Sequence, residues 1–317
     1  MTPNKNDHVF IVGIPRTGTS IVYRTIQKLP NFRMGKFNLW ETAIFRDNVS
    51  FSGPDLYYPG LLGYLPGEKD SYDKFLQSVK TYTDTLQGRR NKHYRIAAPP
   101  SGNPLRRLFS TAWNNLTRIR WNRSAKSEII KTFFSYARQC RRVERIVEKT
   151  PHHYRHVHQI LWTFPHARIL WMVRHPVDII TSSIKRAKID KNYKNYWNVH
   201  NFVTEYRNSF RLFDFYKKRF KNRITLVKYE DFVGNPAGEM GRICAFLDET
   251  YSEDALVVAE HEKFKWKPDP HLSADIVKKT ERKWQDHLSL EDAGKIEAGL
   301  QDLMKKYNFA NYVDSAK

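Results

Sequence analysis

The chain has 317 residues, of which 40% are hydrophobic and 14% aromatic. This length allows one large α/β domain or two smaller ones, and the apolar content excludes a globally disordered protein. Lysine and arginine outnumber aspartate and glutamate by 54 to 33, which gives a net charge of +21 and predicts an anionic partner.

Cysteine usage and hydropathy predict the compartment. Cys140 and Cys244 are the only two cysteines, far apart in helix-like contexts, and favour reduced thiols of a cytoplasmic protein over a disulfide. The sequence shows no secretory leader before the first predicted strand and no apolar run long enough to cross a bilayer. We therefore expect a soluble, cytoplasmic chain.

The N-terminal pattern predicts a strand, a glycine loop and a helix. The apolar run Val9 to Val12 is typical of a buried strand, and a turn rich in glycine and proline follows. Helical spacing then runs from Thr19 to Leu29, where Pro30 closes the helix. Because loop and helix N–H groups converge on one point in such a unit, we expect a phosphate site there.

One residue of this loop departs from the common triphosphate-binding motif. Gly13, Gly18 and Ser20 fit the spacing of that motif, but Thr19 stands where the motif has lysine. Arg16 brings a cation in two residues before the second glycine, and no strand ends in an aspartate suited to hold magnesium. The loop therefore predicts a phosphate cradle without the groups needed for a triphosphate–magnesium complex.

Three further β-prone runs predict a parallel sheet. They span Arg145 to Glu148, Ala167 to Val173 and Arg223 to Tyr229, and helical stretches separate them. Buried strands that alternate with helices indicate a parallel sheet with helices on both faces, whose ligands lie beyond the carboxyl ends of the strands. Arg174 follows one such strand, and Ser182 lies in the helix after it, so this pair predicts a second phosphate contact.

The segment 86–145 carries 15 lysines and arginines against only Glu128 and Glu144. Apolar residues recur there at helical spacing between Leu105 and Ile119, and a second helix is predicted from Lys126 to Arg141. A pair of amphipathic helices facing the core is favoured, and a basic face lying on an anionic membrane surface is the alternative.

Two motifs together resemble a known family. The loop Pro-Arg-Thr-Gly-Thr-Ser at 15–20 and the run Val-Arg-His-Pro-Val-Asp-Ile-Ile-Thr-Ser-Ser at 173–183 look like the sulfotransferases that use 3′-phosphoadenosine 5′-phosphosulfate (PAPS). Weaker matches follow at 226–236 and 278–289, so the likeness covers about 8–30 and 145–305 and is nearest to the bacterial and tyrosylprotein branches. It implies a three-layer α/β sandwich with a mostly parallel central sheet and a P-loop-like loop, as one domain over 1–317 with an acceptor-side insertion at 50–145.

The resemblance also implies roles for individual residues. The 5′-phosphosulfate would bind at the loop, the 3′-phosphate at the second motif, and the adenine near Tyr229. A C-terminal basic loop, Lys278 to Lys283, would close over the 3′-phosphate, although which of its residues makes the contact stays open. The implied donor-binding residues are Pro15, Arg16, Thr17, Gly18, Thr19, Ser20, Arg174, Ser182, Tyr229, Lys279 and Arg282.

The acceptor's proton needs a general base, for which two candidates remain. Glu41 lies 25 residues after Arg16, similar to the base of the tyrosylprotein and bacterial branches, and the alternative is a carboxylate at a helix start. His152 is the second candidate, in a Glu-Lys-Thr-Pro-His-His run at 148–153 where Lys149 matches a family lysine that stabilises the transferring group. No histidine there has a cysteine or carboxylate at zinc-ligand spacing, so no metal is expected.

The favoured function is transfer of a sulfuryl group from PAPS to a hydroxyl of a small molecule, glycan or lipid, with release of 3′,5′-adenosine bisphosphate (PAP). A kinase of nucleotides or small molecules is one alternative, against which Thr19 argues. A nucleic-acid-binding protein that uses the basic segment 86–145 is the other. No specific nucleic acid is expected for the favoured function, whereas peripheral contact with an anionic membrane stays open.

Overall fold

The computed structural model describes residues 8–32, 44–45, parts of 127–138, 142–189, 198–256 and 284–316. Within these ranges four strands form one sheet: β1 (Val9–Gly13), β2 (Val147–Lys149), β3 (Arg168–Val173) and β4 (Ile224–Lys228). Their order is β2-β1-β3-β4, and every pair is parallel. The carboxyl ends of all four strands therefore meet at one edge, where the predicted site residues begin.

Successive residues of the central strands enter two different cores. Phe10 and Trp171 belong to one cluster of buried side chains, whereas Ile11 and Met172 belong to the other. Because side chains alternate between the two faces of a strand, each cluster occupies one face of the sheet. Both faces are buried, which explains why the strands are almost continuously apolar.

Helices cover both faces. The first helix is α1 (Thr19–Ile26), and the helices described after β2 are α2 (Val157–Thr163), α3 (Pro176–Ile189), α4 (Val199–Arg219), α5 (Tyr229–Gly234), α6 (Pro236–Leu247) and α7 (Leu290–Lys306). The cluster around Ile11 includes side chains from α1, α5 and α6, whereas α2, α3, α4 and α7 contribute to the cluster around Phe10. The predicted layered α/β fold is confirmed.

A buried ion pair fixes the approach to β2. Arg145 Nη1 donates to Glu249 Oε1 at 2.5 Å and to the Leu247 carbonyl at 2.6 Å, and both charged side chains are almost fully buried. Asn31 Nδ2 donates to the second oxygen of Glu249 at 2.9 Å. These bonds join the start of β2 to the end of α6 and to the turn after α1.

The element boundaries agree closely with the sequence patterns. The first helix begins at Thr19 as predicted but ends at Ile26 rather than Leu29, and Pro30 begins a short 3₁₀ turn instead. Lys149 belongs to β2, since its backbone continues the pairing with β1 at Ile11. The described residues of 127–138 are helical, in agreement with the predicted second basic helix, and the remainder of 86–141 lies outside the described residues. Among the helices in the described ranges, none combines the length and apolar character needed to cross a bilayer.

Candidate active site

The loop between β1 and α1 has the backbone geometry of an anion cradle. Arg16 and Gly18 both have positive φ values, 77° and 87°, with Thr17 between them. Alternation of left-handed with ordinary conformations turns successive N–H groups toward one side. Gly18 is also the N-cap of α1, and no side chain caps this helix. The first N–H groups of α1 are therefore open to an anion from outside.

Gly18 is required by close packing as well as by its φ value. A Cβ atom at this position would lie 2.3 Å from Cδ2 of Tyr229, the residue that follows β4. The ring of Tyr229 thus rests directly against the loop. This contact brings the ends of β1 and β4 together across β3.

Two arginines converge on the loop from different strands. Arg16 Nε donates to Ser182 Oγ on α3 at 3.0 Å. Arg174, directly after β3, donates from Nη1 to the carbonyl of Arg16 at 3.3 Å. The guanidinium of Arg174 also lies over the ring of Tyr229, 4.3 Å from its centroid. Four residues that the sequence predicted for donor binding are therefore in one place.

Two residues outside the β1–α1 loop also contact Arg174, one at its backbone and one at its side chain. Tyr206 on α4 donates its hydroxyl to the Arg174 carbonyl at 2.8 Å. Asp178, in the first turn of α3, places Oδ2 at 3.9 Å from Arg174 Nε. Among the described residues this buried Nε has no hydrogen-bond partner. The guanidinium thus keeps donor capacity for a ligand.

A second carboxylate lies behind Arg174. Glu230 accepts a hydrogen bond of 2.7 Å from the backbone N–H of His175. Burial raises the pKa of Glu230, although that N–H and the charge of Arg174 act in the opposite direction. Burial also raises the pKa of Tyr206 well above its usual value, and the nearby charge of Glu230 adds to this effect. Tyr206 therefore keeps its proton, and its hydroxyl donates a hydrogen bond to the Arg174 carbonyl.

The remaining loop residues divide between structural and accessible positions. Thr17 is buried, and its hydroxyl donates a hydrogen bond of 2.8 Å to the Ile14 carbonyl, which fixes the turn of the loop. Thr19 is also buried, at the start of α1, whereas Pro15 and Ser20 are half-buried. The backbone of this loop, together with Arg16 and Ser20, forms its accessible surface.

The loop after β1 and the two converging arginines lie together at the carboxyl edge of the sheet, and the comparison of sequences names the family. The model of the sulfotransferase family matches residues 8–253. The chain belongs to the sulfotransferase family. This membership confirms the prediction of a sulfotransferase enzyme.

Solved sulfotransferase structures are similar to this chain. The sulfotransferase domain from the curacin biosynthetic pathway is 14% identical with a TM-score of 0.50, over 94% of this chain and 97% of that one. The sulfotransferase domain of the Synechococcus PCC 7002 olefin synthase is 18% identical with a TM-score of 0.49, over 93% and 94%. Retinol dehydratase, solved in complex with androsterone and the inactive cofactor PAP, is 16% identical with a TM-score of 0.42, over 96% and 82%. The curacin-pathway domain supports the fold, and no curated protein matches the chain.

In this sulfotransferase the lysine predicted for catalysis ends β2, at the same edge of the sheet as the loop. Lys149 is fully buried. Its neighbours Glu148 and Thr150 are buried as well, and the Thr150 hydroxyl donates to Glu148 Oε1 at 2.5 Å. A buried cation at this edge can stabilise negative charge strongly because little water screens it.

A buried histidine completes the support around this strand end. His153 Nε2 accepts a hydrogen bond of 3.3 Å from the backbone N–H of Phe45. The proton must then be on Nδ1, which donates to Glu148 Oε2 at 3.0 Å. The pair joins the strand end that carries Lys149 to the segment at Phe45.

The two candidate bases differ in what the structure describes. His152 is half-buried in the 3₁₀ turn Pro151–His156, which follows β2 after Thr150, and it lies three residues from Lys149. Glu41 lies outside the described residues, as do Lys279 and Arg282 of the C-terminal basic loop. The roles of these four residues stay predictions. Among the described residues there is no group of three or more potential metal ligands, and the expectation of a metal-free reaction also stays a prediction.

Sequence reasoning missed several residues that support the arginines. Asp178 was visible as the aspartate four residues after Arg174, at helical spacing. Glu230 lies next to Tyr229 in a run that the resemblance already covered. Tyr206 gave no local signal, because its hydrogen bond to the Arg174 carbonyl follows from the packing of α4 against the sheet.

Proposed function

We propose that this sulfotransferase moves the sulfuryl group of PAPS to a hydroxyl group and releases PAP. The observation that carries the proposal is the convergence of Arg16 and Arg174, since Arg174 donates to the carbonyl of Arg16 while Arg16 donates to Ser182. A nucleotide with one anionic group at its 5′ end and another on its 3′ oxygen needs two cationic positions. The loop and the end of β3 supply them.

The loop suits a phosphosulfate better than a triphosphate. Its N–H groups and the cation of Arg16 would bind the 5′ end, and Arg174 and Ser182 would bind the 3′-phosphate. Thr19 stands where a triphosphate-binding loop has lysine. A sulfuryl group in transfer carries less negative charge than a phosphoryl group, so fixed N–H donors and a few cations can stabilise it.

Transfer also requires one group near the leaving oxygen and one near the attacking hydroxyl. The buried cation of Lys149, at the same sheet edge as the loop, supports a role in stabilising the transferring group. We propose Glu41 as the base that takes the acceptor's proton and His152 as the alternative. The transfer is proposed to be in line and to need no metal.

The acceptor is proposed by class only, as a small-molecule, glycan or lipid hydroxyl. The insertion at 50–145, with its excess of arginine and lysine, is the proposed acceptor side. A cytoplasmic location, with contact to anionic membranes as an open alternative, is part of the proposal. The free, buried thiol of Cys244 is consistent with it, and burial together with the charge of Glu249 raises the pKa of this thiol to about 11.

Calorimetry with PAP tests the donor site. We expect the wild-type protein to bind PAP and Arg174→Ala to lose at least about tenfold in affinity, because a charge-assisted contact to phosphate is removed. Arg219→Ala is the matched control, since this exposed arginine at the end of α4 carries the same charge and precedes the amino end of β4. Equal affinity in the two variants would overturn the assignment of the 3′-phosphate.

A transfer assay identifies the acceptor class. Labelled PAPS is incubated with extracts separated into lipids, glycans and phenols, and label is followed into each fraction. Competition with ATP distinguishes the kinase alternative, which requires ATP to displace PAP. If the protein bound any polyanion with a steep salt dependence, and Arg16→Ala bound it with the same affinity, the nucleic-acid alternative would be favoured instead.

A further inference from the structure

The segment after α7 packs onto the residue next to the predicted 3′-phosphate arginine. We call residues 308–313 the C-terminal strap. His175 Nε2 donates to the Ala310 carbonyl of the strap at 2.8 Å. The ring of Tyr312 stacks on the imidazole of His175 with centroids 3.7 Å apart and an angle of 9° between the planes. The strap thus covers the loop between β3 and α3.

Bonds at both ends fix the strap. At its start, Lys228 Nζ donates to the Asn308 carbonyl at 2.7 Å. At its end, the carboxylate of Glu297 on α7 accepts the backbone N–H groups of Tyr312 and Val313 at 2.8 and 3.2 Å. Glu297 is nearly buried, so these bonds are shielded from water. The backbone at Tyr312 is therefore held by a buried carboxylate of α7, independently of the Tyr312 hydroxyl.

The hydroxyl of Tyr312 points at the carboxylate beside Arg174. It donates to Asp178 Oδ2 at 3.1 Å, and the same oxygen lies 3.9 Å from Arg174 Nε. A carboxylate without this bond could turn toward the guanidinium and form a closer pair, which would compete with a phosphate for the same N–H groups. Tyr312 holds Asp178 at a distance where its charge orients Arg174 without occupying its donors.

We propose that Tyr312 is a positioning residue for the nucleotide donor, acting through Asp178 on Arg174. The inference rests on the proposed function, because it assumes that Arg174 binds the 3′-phosphate. The described contacts of the Tyr312 side chain are with His175, directly after Arg174, and with Asp178. Its effect is on the affinity for the donor and not on the chemical step.

The chain offers a matched control. Tyr307, at the C-cap of α7, donates its hydroxyl to Asp214 Oδ1 at 3.1 Å, which is the same kind of bond at the same distance. Asp214 lies on the exposed side of α4, away from Arg174. Tyr307→Phe therefore removes an equivalent bond from the same region without touching the proposed relay.

The test compares Tyr312→Phe with Tyr307→Phe by calorimetry with PAP and by thermal melting. We expect Tyr312→Phe to weaken PAP binding by between about twofold and tenfold, as the loss of one hydrogen bond implies, and Tyr307→Phe to leave it unchanged. In turnover the KM for PAPS should rise in Tyr312→Phe while kcat stays constant. An effect on the melting temperature alone, with PAP affinity equal in both variants, overturns the proposal.

A double-mutant cycle tests the route through Asp178. In the Asp178→Ala background, Tyr312→Phe should cause no further loss of PAP affinity. An equal loss in both backgrounds would overturn the relay, because Tyr312 would then act by another path. If the wild-type protein binds no PAP at all, the proposed function fails. If the wild-type protein binds PAP and Tyr312→Phe binds it as tightly as Tyr307→Phe does, only the role of Tyr312 fails.

Discussion

Arg16 and Ser182 are 166 positions apart in sequence, yet Arg16 Nε donates a hydrogen bond of 3.0 Å to Ser182 Oγ. The bond joins the anion-binding loop to α3, whose first residues follow Arg174. Because Arg16 has a φ of 77°, which is unfavourable for a residue with a side chain, its conformation depends on contacts of this kind. The two predicted phosphate positions are thus one connected structure.

We predict that Ser182→Ala weakens PAP binding by about tenfold, because it removes both a proposed phosphate contact and the bond that holds Arg16. Calorimetry measures the affinity. Thr181→Val is the control. The Thr181 hydroxyl donates to the Val177 carbonyl within α3, so this substitution removes only a hydrogen bond local to the helix. Equal affinities in the two variants would contradict the prediction.

Gly18→Ala should disturb both stability and donor binding. Its φ of 87° and the 2.3 Å approach of a Cβ to the Tyr229 ring make alanine strained at this position. We expect a loss of about 1–3 kcal/mol in the free energy of unfolding and a weaker affinity for PAP. Chemical denaturation and calorimetry measure the two effects.

Gly241→Ala is the matched control for that substitution. Gly241 lies inside α6, and a Cβ there would meet nothing within 4 Å. Alanine should raise the free energy of unfolding by about 0.5–1 kcal/mol, because glycine is the poorer helix former. If alanine changed the free energy of unfolding similarly at both positions, the loop would not require glycine at position 18.

Lys149→Met should separate binding from chemistry. Methionine keeps the apolar stem of this fully buried side chain and removes its charge. Under the proposed role, kcat should fall by about 100-fold or more while the affinity for PAP changes little. Transfer of label at saturating PAPS to an acceptor found in the fractionated extracts measures kcat. A parallel loss of PAP affinity would instead assign Lys149 to donor binding.

Local patterns predicted the parts of the site that lie on single elements. The start of α1 at Thr19 and the end of β3 before Arg174 follow from a glycine loop and an apolar run, which are signals within a few residues. The bond from Tyr312 to Asp178 joins positions 134 apart, so no local periodicity contains it. Tyr206 likewise reaches the Arg174 carbonyl only because α4 packs against the sheet.

The boundaries that differed also have tertiary causes. The second strand was predicted to end at Glu148, but pairing with β1 at Ile11 extends β2 over Lys149. Tyr229 was expected at the end of a strand, whereas it begins α5 and packs on Gly18. Both residues lie at the sheet edge in either case, which is why the site prediction depended little on the boundary.

The stability of the protein should depend on pH through His8, which directly precedes β1. Burial, aided by the charges of Arg138 and Arg145, lowers the pKa of His8 to about 3. The folded protein keeps it neutral, with Nδ1 accepting a hydrogen bond of 3.4 Å from the Ile146 N–H, whereas the unfolded chain binds a proton below about pH 6.5. Stability should therefore fall as pH falls from about 6.5 toward 3, by up to about 1.4 kcal/mol per pH unit from this group. Chemical denaturation of the wild type and of His8→Leu between pH 7 and 4.5 measures this effect, because only the wild type has the histidine that takes up a proton on unfolding. The free energy of unfolding of the wild type, relative to that of His8→Leu, should fall as the pH falls. A difference between the two proteins that does not change with pH would contradict the assignment to His8.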